Sequence, residues 1–186
     1  MAGVKAVNSR VSFAELCRWP DDGRRYELYD GEVVVVASPL PRHQRVAFYI
    51  GEILHEYERA TGGIMFAVPI DIVLTEYDVV QPDAVFFRHE RRHLLNMMEA
   101  TRVAPDLAVE VLSPSTESLD RGRKMALLAR SGVPEYWIVD PVANLLEVYA
   151  LGEGEYRPSG VFSEHDRVAS PTLQGLAFDA ARIFAE

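Results

Sequence analysis

The chain has 186 residues, 48% hydrophobic and 25% charged, with Gly and Pro not in excess; it is long enough to bury a core without staples, and disordered, fibrous and disulfide-framework classes are excluded. Its 19 Lys plus Arg against 28 Asp plus Glu give a net charge of −9, which argues against a protein that coats nucleic acid through a general positive field. Cys17 is the only cysteine, so no intramolecular disulfide can form, and the longest apolar run near the N-terminus, Val33 to Ala37, is far too short for a signal peptide or a membrane span.

The expectation is a cytoplasmic protein of one domain, residues 1–186, with no membrane association. In chain order, Val11 to Trp19 reads as a short helix, with Ser12 as N-cap and Glu15 three residues on in a capping box. Tyr26 to Tyr29 and Glu32 to Ala37 form a hairpin across Asp30-Gly31, a pair suited to a type I′ turn. From His43 to Arg59 the apolar residues Val46, Ile50, Ile53, Leu54 and Tyr57 recur at helical spacing. Winding that segment at 100° per residue places His43 on the apolar stripe and leaves Glu52 and Glu56 off it. Two β-rich stretches follow, Ile64 to Val68 and Ile70 to Leu74, then Ala84 to Phe87 after Gln81-Pro82-Asp83, then Leu107 to Leu112. A helix from about Ser118 to Ser131 stops at Gly132. Strands at Tyr136 to Val139 and Leu145 to Leu151 come next, and a short helix from Asp179 to Phe184 closes the chain. Hairpins mixed with β-α-β crossings predict an α/β or α+β domain with a mixed sheet.

Three polar residues stand where apolar ones are expected. Strand alternation puts Ala108, Glu110 and Leu112 on one face, and Asp83 on the face of Val85 and Phe87. On the following helix Lys124 lies angularly between Leu127 and Leu128, with Asp120 one turn before it. Taken singly, each has a bland explanation, a buried ion pair or a turn cap. Together, two acids and a lysine aimed inward from adjacent elements describe an oxygen-ligand site for a hard divalent cation with a cationic side chain beside it.

The run Pro82-Asp83, Glu110 within VEVLSPS, Asp120 and Lys124 in a helix, and GVPEYWIVDP at 132–141 resembles a large bacterial family of restriction-endonuclease-like proteins in the PD-(D/E)XK nuclease superfamily, abundant in cyanobacteria. YELYDGE at 26–32 and His43 after a proline turn fit the same pattern, and the similarity runs from about Tyr26 to Tyr149. The resemblance implies a central mixed sheet flanked by helices, Asp83 and Glu110 as ligands of Mg2+ or Mn2+, and nucleic acid, DNA in the first instance, as partner. The superfamily pattern asks for Lys two residues after the acid, where this chain has Leu112; Lys124, moved to the next helix, fills that role. The catalytic set is then Asp83, Glu110, Lys124 and His43, with His43 orienting a ligand or water.

Positive charge is clustered at Arg121, Arg123, Lys124 and Arg130, and at Arg88, Arg91 and Arg92, which leaves room for a basic cleft despite the net charge. His89-Glu90-Arg91-Arg92-His93 matches H-E-x-x-H, yet it follows an apolar strand directly, carries arginines at its middle positions and lacks an identifiable third ligand. It reads as an exposed basic loop or helix start. Tyr136, Trp137, Tyr149 and Tyr156 suggest an interface, and related folds commonly dimerise, so a homodimer is expected. The competing reading is a catalytically silent homo-oligomeric module that retains the nuclease fold. Roles for Glu27, Glu52 and Asp120 are not assigned by the sequence.

Overall fold

The computed structural model describes residues 10–185. The first helix, α1 (Phe13–Leu16), is shorter than its apolar segment suggests, and its capping box forms as expected, with the Ser12 side chain accepting from the Glu15 amide. β1 (Arg25–Tyr29) and β2 (Glu32–Val36) make the hairpin; Asp30 and Gly31 have φ of 53° and 78°, the left-handed pair that a type I′ turn requires. α2 (Pro41–Thr61) contains the predicted amphipathic segment and stops at Gly62, whose φ of 76° only glycine adopts freely.

β3 (Ile64–Phe66) and β4 (Ile72–Thr75) are shorter than the apolar runs that predict them, because Pro69 between them has no N–H to give to a ladder. β5 (Asp78–Val80) and β6 (Ala84–Phe87) follow, then a 3-10 helix over His89–Leu94 and the strand β7 (Leu107–Val111). The next helical rod is not uniform: α3 (Glu117–Leu119) runs through a π-helical turn (Asp120–Lys124) into α4 (Met125–Arg130). It ends in a Schellman arrangement, with Val133 N–H donating to Leu128 and Gly132 N–H to Ala129. β8 (Glu135–Asp140), β9 (Leu145–Gly152), β10 (Glu155–Ser163), β11 (Arg167–Ala169), β12 (Ala177–Asp179) and α5 (Ala181–Phe184) complete the described chain. Asp179, expected to open the last helix, instead ends β12 opposite Arg167.

Six strands in the order β10-β9-β8-β7-β6-β3 form the central sheet, and β2-β1-β5-β4 form a second. Within the central sheet β7 and β8 run parallel, joined across the helical rod, while the other neighbours are antiparallel. It is the mixed sheet flanked by helices that the residues predicted. Leu107, Val109 and Val111 of β7 face one core, shared with α2 and α5. Ala108 and Leu112 face the other, shared with Leu127 and Leu128 of the rod and with Tyr29 and Val80 of the second sheet.

Tyr136 and Trp137 are fully buried, and Tyr156 stacks on Tyr136 and donates to the Val133 carbonyl. Tyr149 is half-buried, with its hydroxyl on Glu147. Tyr136 and Trp137 fill the core on β8, and Tyr149 and Tyr156 pack partly buried against it, so these rings are accounted for within the fold and do not by themselves mark a homodimer interface. No described helix is long and apolar enough to cross a membrane.

Candidate active site

Glu110 lies at the carboxyl end of β7 and is only 4% exposed. β6 pairs antiparallel with β7 so that Ala84 faces Val109; continuing that register by one residue sets Asp83 opposite Glu110, on the same side of the sheet. The two acids of the sequence argument are thus brought together by the ladder itself, at the strand ends where open α/β sheets bind ligands. Asp83 Oδ2 accepts from Val111 N–H at 2.8 Å and lies 3.2 Å from Nε2 of His43, which reaches it from the first turn of α2. His43 is buried, as its place on the apolar stripe required, and its Nδ1 has no hydrogen-bond partner.

Lys124 points into the core, at 3% exposed. Burying an ammonium is unfavourable by several kcal/mol unless it is paired. Leu127 and Leu128, each worth roughly 1.5–3 kcal/mol when buried, anchor the rod beside it. Its pairing is complete: Nζ lies 2.9 Å from Glu110 Oε1, 3.0 Å from Glu27 Oε1 and 3.2 Å from Asp120 Oδ1. Glu27 is the member that sequence reasoning missed. It is fully buried on β1, accepting from the Gln81 amide at 2.8 Å and from the Tyr29 hydroxyl at 2.7 Å. The available signal was a glutamate set opposite Val34 in an otherwise apolar hairpin.

Asp120 and Lys124 bound the π-helical turn, and both are buried. Such turns mark places where a helix is widened for function more often than chance. Neither Asp120 oxygen has a donor in good hydrogen-bond geometry, and the ammonium at 3.2 Å is the charge that answers it.

These groups line a narrow cleft of about 70 Å³, walled by Val34 and Val36 of β2 on one side and by Ser113, Ser115 and Thr116 on the other. Four carboxylates, Glu27, Asp83, Glu110 and Asp120, stand against two cationic side chains, Lys124 and Arg25, so the lining carries an excess of acid. Burial, and then the neighbouring acids Asp120, Asp83 and Glu27, push Glu110 well above the usual carboxylate range against the pull of Lys124. Burial also raises Asp120, with Lys124 and Thr116 opposing. For Lys124 burial is the largest single influence and disfavours the charge, yet Glu110, Glu27 and Asp120 together hold its pKa well above the ordinary value.

The basic clusters do not build a positive cleft. Arg121 pairs with Glu147 and Glu117, Arg123 with Glu32, Arg130 with Asp78, and Arg88 and Arg91 with Asp106. These five are each paired with an acid and Arg92 donates to the Gly62 carbonyl, so none of the six lines the acidic cleft. The H-E-x-x-H segment is exposed, with His89 Nδ1 3.0 Å from the Gly62 carbonyl. Glu52 is exposed on α2, away from the cleft. Among the described residues no three His, Cys, Asp or Glu side chains stand ready-made as a metal cage; the acids of the cleft surround an ammonium instead.

A family model described as "Uma2: Putative restriction endonuclease" matches residues 13–181. No curated protein matches the chain. A solved structure described as "a putative nuclease belonging to DUF820 from Anabaena variabilis" superposes with a TM-score of 0.77 at 18% identity, over 94% of this chain and 97% of that one. At that identity the likeness is one of fold.

Proposed function

The chain belongs to the Uma2 family, and on that premise we propose that it is a divalent-metal-dependent nuclease hydrolysing phosphodiester bonds in DNA. The observation that carries this reading is the meeting of Asp83 and Glu110 across the β6–β7 ladder with the Lys124 ammonium 2.9 Å from Glu110, in one cleft.

The residues fit a hard cation. Carboxylate oxygens are the donors Mg2+ and Mn2+ prefer, and Asp120 keeps two buried oxygens free of hydrogen bonds. Asp83 and Glu110 would hold the ion. When bound, it polarises a phosphoryl oxygen and lowers the pKa of a coordinated water. A cleft with an excess of acid repels a phosphodiester, so substrate enters only once its acids are compensated. Lys124 then supplies the charge-stabilising group for the phosphate. His43 acts on Asp83, with Nε2 3.2 Å from Oδ2, and is a positioning residue.

The test is cleavage of plasmid, linear duplex and single-stranded DNA at low salt with Mn2+ or Mg2+. Activity is expected in the parent and lost in Asp83→Asn, Glu110→Gln and Lys124→Met. One observation favours a second reading, a silent module retaining the fold: an ammonium bridging three carboxylates also suffices to hold a core together. No cleavage with any substrate, and no response of melting temperature to either metal, would decide for the module.

A further inference from the structure

The three oxygens nearest Lys124 come from three separate elements: Glu27 from β1, Glu110 from β7 and Asp120 from the π-helical turn. They converge on one point, the ammonium nitrogen, at 3.0, 2.9 and 3.2 Å. Convergence of hard oxygens from rigid elements on a common centre is the layout of a cation site, here at N–H···O distances rather than the roughly 2.0–2.1 Å of magnesium coordination.

The three acids are not equivalent. Glu27 is fixed by the Gln81 amide and the Tyr29 hydroxyl. Asp120 has no such support, and among the described residues it is the only buried carboxylate with neither oxygen hydrogen-bonded. It is 1% exposed and borders the cleft. A buried acceptor is normally satisfied, and leaving one without a donor is unfavourable. Asp120 is thus held by charge alone, with the Lys124 ammonium at 3.2 Å as its counter-ion and no hydrogen bond fixing either oxygen.

We propose that Asp120 is a third carboxylate of the cation site and that Lys124 is its built-in competitor, an ammonium that must leave Glu27, Glu110 and Asp120 before a divalent cation takes those oxygens. This rests on the metal-dependent reading and extends it from Asp83 and Glu110 to Asp120. Its consequence is coupling: occupation of the acids releases Lys124 toward the open side of the cleft, where a phosphate would lie. A ligand that displaces an internal group binds more weakly by the cost of that displacement, so removing the competitor tightens binding.

Titration calorimetry of the full chain with MnCl2 separates the possibilities. Asp120→Asn, isosteric and uncharged, is expected to weaken Mn2+ binding roughly ten-fold or more, on the scale of lost ligand-sphere groups. Lys124→Met is expected to tighten it by roughly ten-fold; Lys124→Gln is the second variant should methionine fail to fold. A dissociation constant in Asp120→Asn equal to the parent's removes Asp120 from the site, where a purely structural role would leave metal binding untouched. Parental or weaker binding in both Lys124 variants removes the competition. If the parent takes up no Mn2+, or if Asp83→Asn and Glu110→Gln bind it as the parent does, the metal reading itself fails and this one with it; parental loss in those two with none in Asp120→Asn overturns only the present proposal.

Discussion

The parallel pair β7 and β8 carries buried acids at both ends, and the two ends treat them differently. At the amino end Asp106 accepts from the Arg88 amide and guanidinium at 2.9 Å and meets Arg91 at 3.0 Å. Beside it, Glu135 accepts from Trp137 Nε1 at 2.5 Å, from Ser170 Oγ at 2.6 Å, and from the Thr172 amide and hydroxyl. Every oxygen there has a donor. At the carboxyl end three acids, Glu27, Glu110 and Asp120, share one ammonium, and neither carboxylate oxygen of Asp120 has a hydrogen-bond donor in good geometry. Equal burial with unequal satisfaction separates a structural clasp from a site: the first closes the chain on itself, and the second leaves charge for something else to meet.

The largest effect that tests this contrast comes from the ammonium. In metal-free protein Lys124→Met should lower unfolding free energy by about 3–5 kcal/mol, because it strands three buried carboxylates. Mn2+ should restore much of the loss, read by urea denaturation with and without metal. A variant as stable as the parent would mean that the acids are neutral and that the ammonium holds nothing.

At the other end Glu135→Ala should cost roughly 2–3 kcal/mol by leaving the Trp137, Ser170 and Thr172 donors unpaired, and here Mn2+ should restore none of it. Rescue by metal at Glu135 would erase the distinction between the two ends.

A smaller change is expected from Glu110→Gln. Lys124 keeps Glu27 and Asp120, and repulsion among the acids is relieved, so metal-free stability should stay within about 1 kcal/mol of the parent. The metal response should disappear, against a parental gain of about 2.7 kcal/mol at a hundred times the dissociation constant.

The smallest effect is in pH dependence, and its sign differs between regions. Glu110 and Asp120 have folded pKa values raised by burial, so the native state holds their protons more tightly than the unfolded chain does. Their contribution is greatest in acid and is lost as pH rises through the raised values. Glu147, outside the cleft, is lowered by its hydrogen bonds from Arg121 against the effect of burial. Its contribution is present above the ordinary value of 4.5 and is lost as pH falls through the lowered one. Denaturation midpoints across the acid range should therefore shift oppositely in Glu110→Gln and Glu147→Gln relative to the parent; shifts of the same sign would show that burial does not govern the cleft.

Much of the site is legible along the chain. Glu110 is flagged by a carboxylate in the middle of AVEVL, Lys124 by its angular place between Leu127 and Leu128, and His43 by its position on the apolar stripe of α2. The pairing of the arginine clusters is not legible, since nothing in their spacing reveals that Glu147, Glu32, Asp78 and Asp106 lie within reach. Glu27 was not assigned: on RYELY both faces become buried, one against α1 and the other against the rod, so alternation alone does not choose between an outward and an inward glutamate.

The residue pattern by itself determined the mixed sheet, the hairpin turn at Asp30-Gly31, the stop at Gly132 and the inward aim of Glu110 and Lys124. All of these follow from short-range rules, the two-residue period of a strand, the 3.6-residue period of a helix, and the few residues that tolerate positive φ. Tertiary structure alone decided that Asp83 faces Glu110 and that Glu27 closes on Lys124 from a different sheet, whereas Asp120 meets the same ammonium as its i,i+4 neighbour. The first two are contacts between elements whose register and separation depend on how the whole core packs, and periodicity within one element carries no information about which other element it will meet.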